Sequence, residues 1–400
     1  MRYTIIRMMN KETKQFKLLF FGYPSNLINY TGGYLWMKKV ADCIEKSGSY
    51  LVLKNEKNYS STILPRKIVN DLYNAVKALV RQPDVAILDS WGESNIVLWM
   101  LLRAFKPKTK ILVVFHHHEP RIAISKNLFQ SLYNLMILKL TTKMLKDSDT
   151  ILTVSQASKH ELNTIYGIGV DKINKIQEKA NIKTEILTKS IRDRIAIVGT
   201  GIDNNLLFRI NGNKDGNNVK KDIDFLCIGR IEKFYGLEEI WRNIRILKPN
   251  SNLVMIGSIS AETGDKLRRM GIDHRGFVPE EEKINLYSRA KVFIFPSSME
   301  GFGIAVAEAL YASMPVVAWN LPVFEELYKK NDYVKIKLIE YGKSDLFAKE
   351  CVDTLDLYNN TKKAKDIKKI SLPIPNWQTV AQNVMATIES ITNTGTKGTS

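Results

Sequence analysis

The chain has 400 residues, 44% hydrophobic and 25% charged, with a net charge of +18. That length suits two domains that each bury a core of their own, and the composition argues against a disordered or fibrous chain. Cys43, Cys227 and Cys351 stand far apart with no CxxC, which argues against a disulfide framework or a structural zinc and fits a reducing cytoplasm.

In chain order, the opening MRYTIIRMMNKETKQ carries too many charges among too few apolar residues for a signal peptide. KLLFFGYP predicts a strand and a loop, and GGYLWMKKVADCIEKSG a helix closed by Gly48. VAILDS, ILVVFH and TILTVS predict further strands with polar ends, and IAIVGTGID closes the first half. The longest uncharged runs, NIVLWMLL and NLFQSLYNLMIL, are about half of the roughly 20 residues a membrane span needs. NGNKDGNNVKKD has no apolar periodicity and reads as a linker. The alternation then restarts with the strand DFLCIGR and the helix YGLEEIWRNIRIL. Strands SNLVMIGS, VFIFPS and PVVAW follow, and then the last helix IPNWQTVAQNVMATIESI. The tail TNTGTKGTS has nothing to pack.

Such alternation predicts an α/β chain of two doubly wound, Rossmann-like parallel-sheet domains facing a cleft. They fall at residues 1–205 and 206–375, with a closing helix at 376–392 and a disordered tail at 393–400. Ligands of open α/β sheets bind at the carboxyl ends of the strands.

The second half sends four groups of residues to that edge. FLCIGR ends in Gly229 and Arg230, and DHRGFVPEEE presents Gly276, Phe277 and Val278. In PSSMEGFGIAVAEAL, the amides of Gly301, Phe302, Gly303 and Ile304 open a helix and make an anion seat. Glu300 precedes that turn and Glu308 lies two turns into the helix, where a carboxylate suits a ribose diol. Diol, diphosphate and sugar hydroxyls together describe a nucleotide sugar. Each residue also has a plainer reading: a structural carboxylate, a surface ion pair, or glycines that serve only the turn.

The run from GFVPEEEKINLY to NLPVFEEL resembles glycosyltransferase family 4, whose E-x7-E motif falls here on Glu300 and Glu308. The likeness is good from FLCIGR to about residue 328. In the first half it rests on landmarks such as ILTVSQASKHEL and IAIVGTGID. The resemblance implies the GT-B fold and a retaining transferase that uses a nucleotide sugar without a metal or other cofactor. It also implies a last helix that crosses back to the first domain. Gly32 and Gly33 are implied to lie under the donor phosphate, and a histidine of FHHHEP beside the transferred sugar. That histidine is His116, with His117 as its competitor. The implied catalytic set is Glu300, His116 and Arg230. A metal shared by His116 and His118 is the alternative reading of the histidine run, but no third ligand is evident.

Two positions depart from the family. In GRIEKFYG the second phosphate-binding lysine is replaced by Tyr235, with either Lys233 two residues earlier or the tyrosine hydroxyl, as donor of one hydrogen bond, in its stead. The junction has Thr200 where the family carries asparagine. These motivate an alternative function, a catalytically weakened scaffold or regulatory subunit.

The charge is uneven: residues 1–205 hold 31 Lys+Arg against 17 Asp+Glu, a net +14. A basic half suits anionic company, though a solvated lysine-rich surface explains it equally well. Nucleic acid is disfavoured for want of a reading motif. The expected partners are the nucleotide sugar, a saccharide or lipid-linked acceptor, and an anionic membrane met through the first domain. The segment at 103–110 is the favoured contact for that membrane; the helix near 132 is a second candidate, for which packing against the sheet is the favoured reading. Localisation is expected to be cytoplasmic, peripheral on the inner face of the plasma membrane.

Overall fold

A computed structural model describes residues 16–24, 32–57, 64–90, 93–117, 128–166, 194–203, 220–329, 335–360 and 374–393. The sequence-read linker over 211–219, His118 and the tail beyond Asn393 lie outside the described residues.

The first sheet holds β1 (Lys17–Pro24), β2 (Leu51–Lys57), β3 (Val85–Asp89), β4 (Lys110–Phe115), β5 (Thr150–Thr153) and β6 (Ile195–Ile197). Their spatial order is β2-β1-β3-β4-β5-β6, all neighbours parallel. Side chains alternate across a strand. Leu18, Phe20, Val85, Ile87, Leu112 and Val114 therefore point to one face, and Leu19, Phe21, Ala86, Leu88, Ile111 and Val113 to the other. Both faces are covered, which is why these strands read as unbroken apolar runs. The first face takes α1 (Gly32–Ser47). The second takes α2 (Leu64–Val80), α3 (Glu93–Phe105) and α4 (Leu128–Asp147), and α5 (Gln156–Tyr166) follows β5.

The second sheet holds β7 (Ile223–Ile228), β8 (Leu253–Ile256), β9 (Asp273–His274), β10 (Ala290–Phe295), β11 (Val316–Trp319) and β12 (Ile336–Ile339). It runs β12-β11-β10-β7-β8-β9, again parallel. Its helices are α6 (Leu237–Leu247), α7 (Ala261–Arg269), α8 (Glu280–Arg289), α9 (Ile304–Tyr311), α10 (Pro322–Tyr328) and α11 (Ser344–Asn360). Trp241, Tyr287, Trp319, Phe324 and Phe347 are wholly buried among them.

The last helix, α12 (Trp377–Asn393), lies on α1 of the first domain. Ile202 N–H donates to Pro375 O at 3.1 Å, and Asn383 Nδ2 donates to Val198 O at 3.1 Å. Gly201 leaves the room for this: a Cβ there would stand 2.6 Å from Trp377 N.

Candidate active site

The strand ends of the second domain form a floor of bare backbone. Gly229 follows β7 and Gly257 follows β8, with φ of 153° and 143°. A Cβ on Gly257 would stand 1.9 Å from Gly229 O, so only glycine lets the two loops meet. Arg230 comes next and caps a short 3-10 turn, Ile231–Lys233. Gly303, with φ of 80°, opens α9, and a Cβ there would lie 2.4 Å from the Phe324 ring.

Glu300 sits beside this turn. Burial pushes its carboxyl above the usual range, while the Lys233 charge, a hydrogen bond from Ser297 and the Arg230 charge pull it back. Ser297 Oγ donates to Glu300 Oε1 at 2.9 Å. The loop bearing Lys233 is fixed in turn, since Ser298 donates to Lys233 O through both N–H and Oγ.

The first domain meets this group with two histidines. The His116 ring packs on Gly33, where a Cβ would come within 3.0 Å of Cδ2 and 3.2 Å of Nε2. Burial, with Lys233 adding to it, pushes its pKa down to about 4, so the imidazole is neutral. Its Nε2 has no hydrogen-bond partner. The Lys233 ammonium reaches His117 Nε2 at 2.9 Å, and as a pure donor it makes that nitrogen the acceptor. Consecutive histidines thus take different tasks.

The seat is tied to the first domain through backbone. A Cβ on Gly301 would stand 2.1 Å from His116 O. Ser158 Oγ donates to His116 O at 2.6 Å, and Ser155 Oγ donates to Gly301 O at 2.8 Å. On the same edge, Glu326 of α10 accepts from Gln156 N–H at 3.0 Å and Ala157 N–H at 2.7 Å, where α5 begins.

Glu308 lies one step further along α9 and is already engaged. Lys283 Nζ reaches its two oxygens at 3.0 and 3.2 Å, and Tyr287 OH donates to Oε2 at 3.0 Å. Burial alone lowers Lys283, but the Glu308 and Glu280 carboxylates overcome it and hold the ammonium charged. A carboxylate offers about four lone-pair sites. Three hydrogen bonds from two donors therefore fix its direction and leave about one site for a ligand hydroxyl.

The other sequence-chosen residues divide by exposure. Gly32 lies on the Ile304 side chain, 3.7 Å from a notional Cβ, so the two domains also touch there. Phe302 is buried in the core and serves packing, Val278 is half-buried, and Phe277 is exposed. Among the described residues no three His, Cys, Asp or Glu side chains gather as for a metal. Sequence reasoning missed Ser155, Ser158, Lys283, Tyr287, Ser297 and Glu326. The one available signal was Lys283 and Tyr287 at i and i+4 of α8, a spacing that puts both on one face.

Two facing parallel sheets with this cleft define the GT-B fold of glycosyltransferases. Residues 209–370 match the family described as Glycosyl transferases group 1, and residues 51–177 match Glycosyltransferase Family 4. The chain thus carries two glycosyltransferase domains of family 4 type, one in each half. It is 25% identical over 268 residues to the O-antigen chain mannosyltransferase RfbU of Salmonella typhimurium, across 62% of this chain and 64% of that protein. The match thus spans less than two thirds of that relative's length. A sucrose-phosphate synthase from Thermosynechococcus elongatus superposes with a TM-score of 0.64 at 12% identity, covering 95% of this chain and 100% of that one. The Anabaena protein HepE, solved in complex with UDP, superposes at 0.61 and 14% identity, covering 94% and 100%.

Proposed function

We propose that the chain is a retaining glycosyltransferase that moves a hexosyl group from a nucleotide sugar to a saccharide or lipid-linked acceptor in polysaccharide assembly. The observation that carries this is the convergence, from two domains, of a buried carboxylate, two cations and a neutral imidazole with an unpartnered nitrogen. The kinship with an O-antigen mannosyltransferase and the fold shared with a UDP-binding protein support the same direction.

In this reading Arg230, Lys233 and the amides from Gly301 to Ile304 hold the diphosphate and stabilise the charge it gains on leaving. Glu308, aimed by Lys283 and Tyr287, accepts the ribose hydroxyls, and Phe277 and Val278 line the base. Glu300 and His116 Nε2 hold the sugar hydroxyls. Ser297, Lys233 and Arg230 draw Glu300 toward its carboxylate form, which accepts from the sugar hydroxyls. Transfer then proceeds by attack on the face the diphosphate leaves, through an oxocarbenium-like state, instead of by the double displacement of retaining hydrolases. The two cations supply the positive charge beside the diphosphate, so transfer is expected to persist in EDTA.

The test is thermal stabilisation by a panel of UDP-, GDP- and ADP-sugars, because a ligand that binds only the native state raises Tm. One class is expected to raise it, and Arg230→Ala to erase the rise. Glu300→Gln is expected to keep the rise but lower transfer by about 10²–10³-fold. A panel that leaves Tm unmoved sinks the reading. The scaffold alternative, motivated by Tyr235, is the outcome in which a donor binds and neither transfer nor donor hydrolysis follows.

A further inference from the structure

Helix α2 turns its large apolar residues to solvent. Ala75, Ala78 and Asp71 are buried, whereas Val69, Leu72, Tyr73, Val76 and Val80 are 43–73% exposed. Positions 69, 72, 73, 76 and 80 share one helical face. An amphipathic helix on a sheet ordinarily buries that stripe; here small residues face the sheet and the stripe is outside. Helix α3, packed beside α2, adds Met100 and Phe105, both more than half exposed. An exposed apolar surface of this extent marks a docking face.

The charge of this layer selects the occupant. Lys77 on α2, Lys108 after α3, and Lys139 and Lys143 on α4 are exposed. Of the carboxylates on these helices whose side chains are described, Asp71 is buried and Asp147, though exposed, is paired with Arg103 at 2.6 Å. Asp149, just past α4, is paired with Lys110 at 3.0 Å. Within the 103–110 segment, Arg103 and Lys110 pair with Asp147 and Asp149, while Phe105 and Lys108 stay on this face beside the α2 stripe. A second copy docked here would bring like charges together. An anionic bilayer answers both features, with apolar side chains at the acyl boundary and lysines among the headgroups.

We infer that the α2 face seats the first domain on an anionic phospholipid surface. The inference gives a location to the lipid-linked acceptor of the proposed function, and its test reads binding rather than transfer, so either can fail alone. The full chain is cosedimented with phosphatidylcholine vesicles, with and without phosphatidylglycerol. Binding is expected only with phosphatidylglycerol and is expected to fall with salt. Leu72→Glu and Val76→Glu are each expected to weaken it by roughly tenfold or more, and Lys77→Glu by about fivefold. Their circular dichroism, Tm and donor-induced Tm shift should match wild type, since all three positions are exposed. Wild-type chain that ignores phosphatidylglycerol, or Val76→Glu that binds as wild type does, overturns the inference. So does light scattering that shows a dimer lost in Val76→Glu without vesicle binding, which would assign the face to a second copy.

Discussion

Tyr235 occupies the position at which the sequence resemblance implies a second phosphate-binding cation, and its ring turns elsewhere. It packs against Tyr341 with the rings tilted by 30° and centroids 4.9 Å apart, and meets the Trp319 edge at 6.3 Å. Lys233 instead carries charge to Glu300 and His117. A charge-assisted hydrogen bond contributes about 1.5–3 kcal/mol. Lys233→Met should therefore lower kcat/KM by roughly 10–150-fold, while Tyr235→Phe stays near wild type; the reverse pattern in steady-state kinetics would assign the task to Tyr235. His116 makes a second prediction. Its folded pKa lies below its ordinary 6.5, at about 4, so the unfolded chain binds the proton more readily. The stability that a neutral His116 preserves is complete above 6.5 and is lost as pH falls toward 4, on the order of 1–3 kcal/mol. Glu300, shifted upward, acts with the opposite sign, so the measurement is the difference between wild type and His116→Gln in urea unfolding across that window. Parallel profiles for the two proteins would show that His116 does not carry the slope.

At the scale of elements, strands covered on both faces were plain in the sequence, because VAILD, KILVVF and AKVFIF each hold an unbroken apolar run, VAIL, ILVVF and VFIF. Edge strands were not. β2 reads LVLKNEK and loses its apolar pattern after three residues, and β9 is two residues long. Helix α2 shows a different limit: periodicity defines an apolar face but does not say that the face is turned inward. The E-x7-E loop and helix were legible because Glu300, the anion seat and Glu308 lie in one continuous stretch. Ser155 and Ser158 were not, for hydroxyls that work on carbonyls 146 and 42 residues away leave no local pattern. The engagement of Glu308 was hidden for the same reason, since Lys283 approaches from another helix 25 residues earlier.

The molecule as a whole is held together at the cleft by a narrow seam. Glu326 accepts from two α5 amides, a carboxylate on a helix N-terminus supplied by the opposite domain. Removing such a cap costs about 1 kcal/mol. Glu326→Ala should thus raise KM for the donor a few-fold and enlarge the radius of gyration in solution scattering, with kcat little changed. A variant as compact as wild type, with unaltered KM, would show that this carboxylate does not hold the domains.

The bridge between Ile202 and Asn376 has a mechanical consequence. The chain leaves the first domain just after Ile202 and re-enters it just before Asn376, so its outward and homeward passages stand side by side at one spot. Two covalent straps anchored together there act as a pivot. If the contacts at the cleft release, that pairing would restrict the lobes to rotation about this spot rather than sliding past one another.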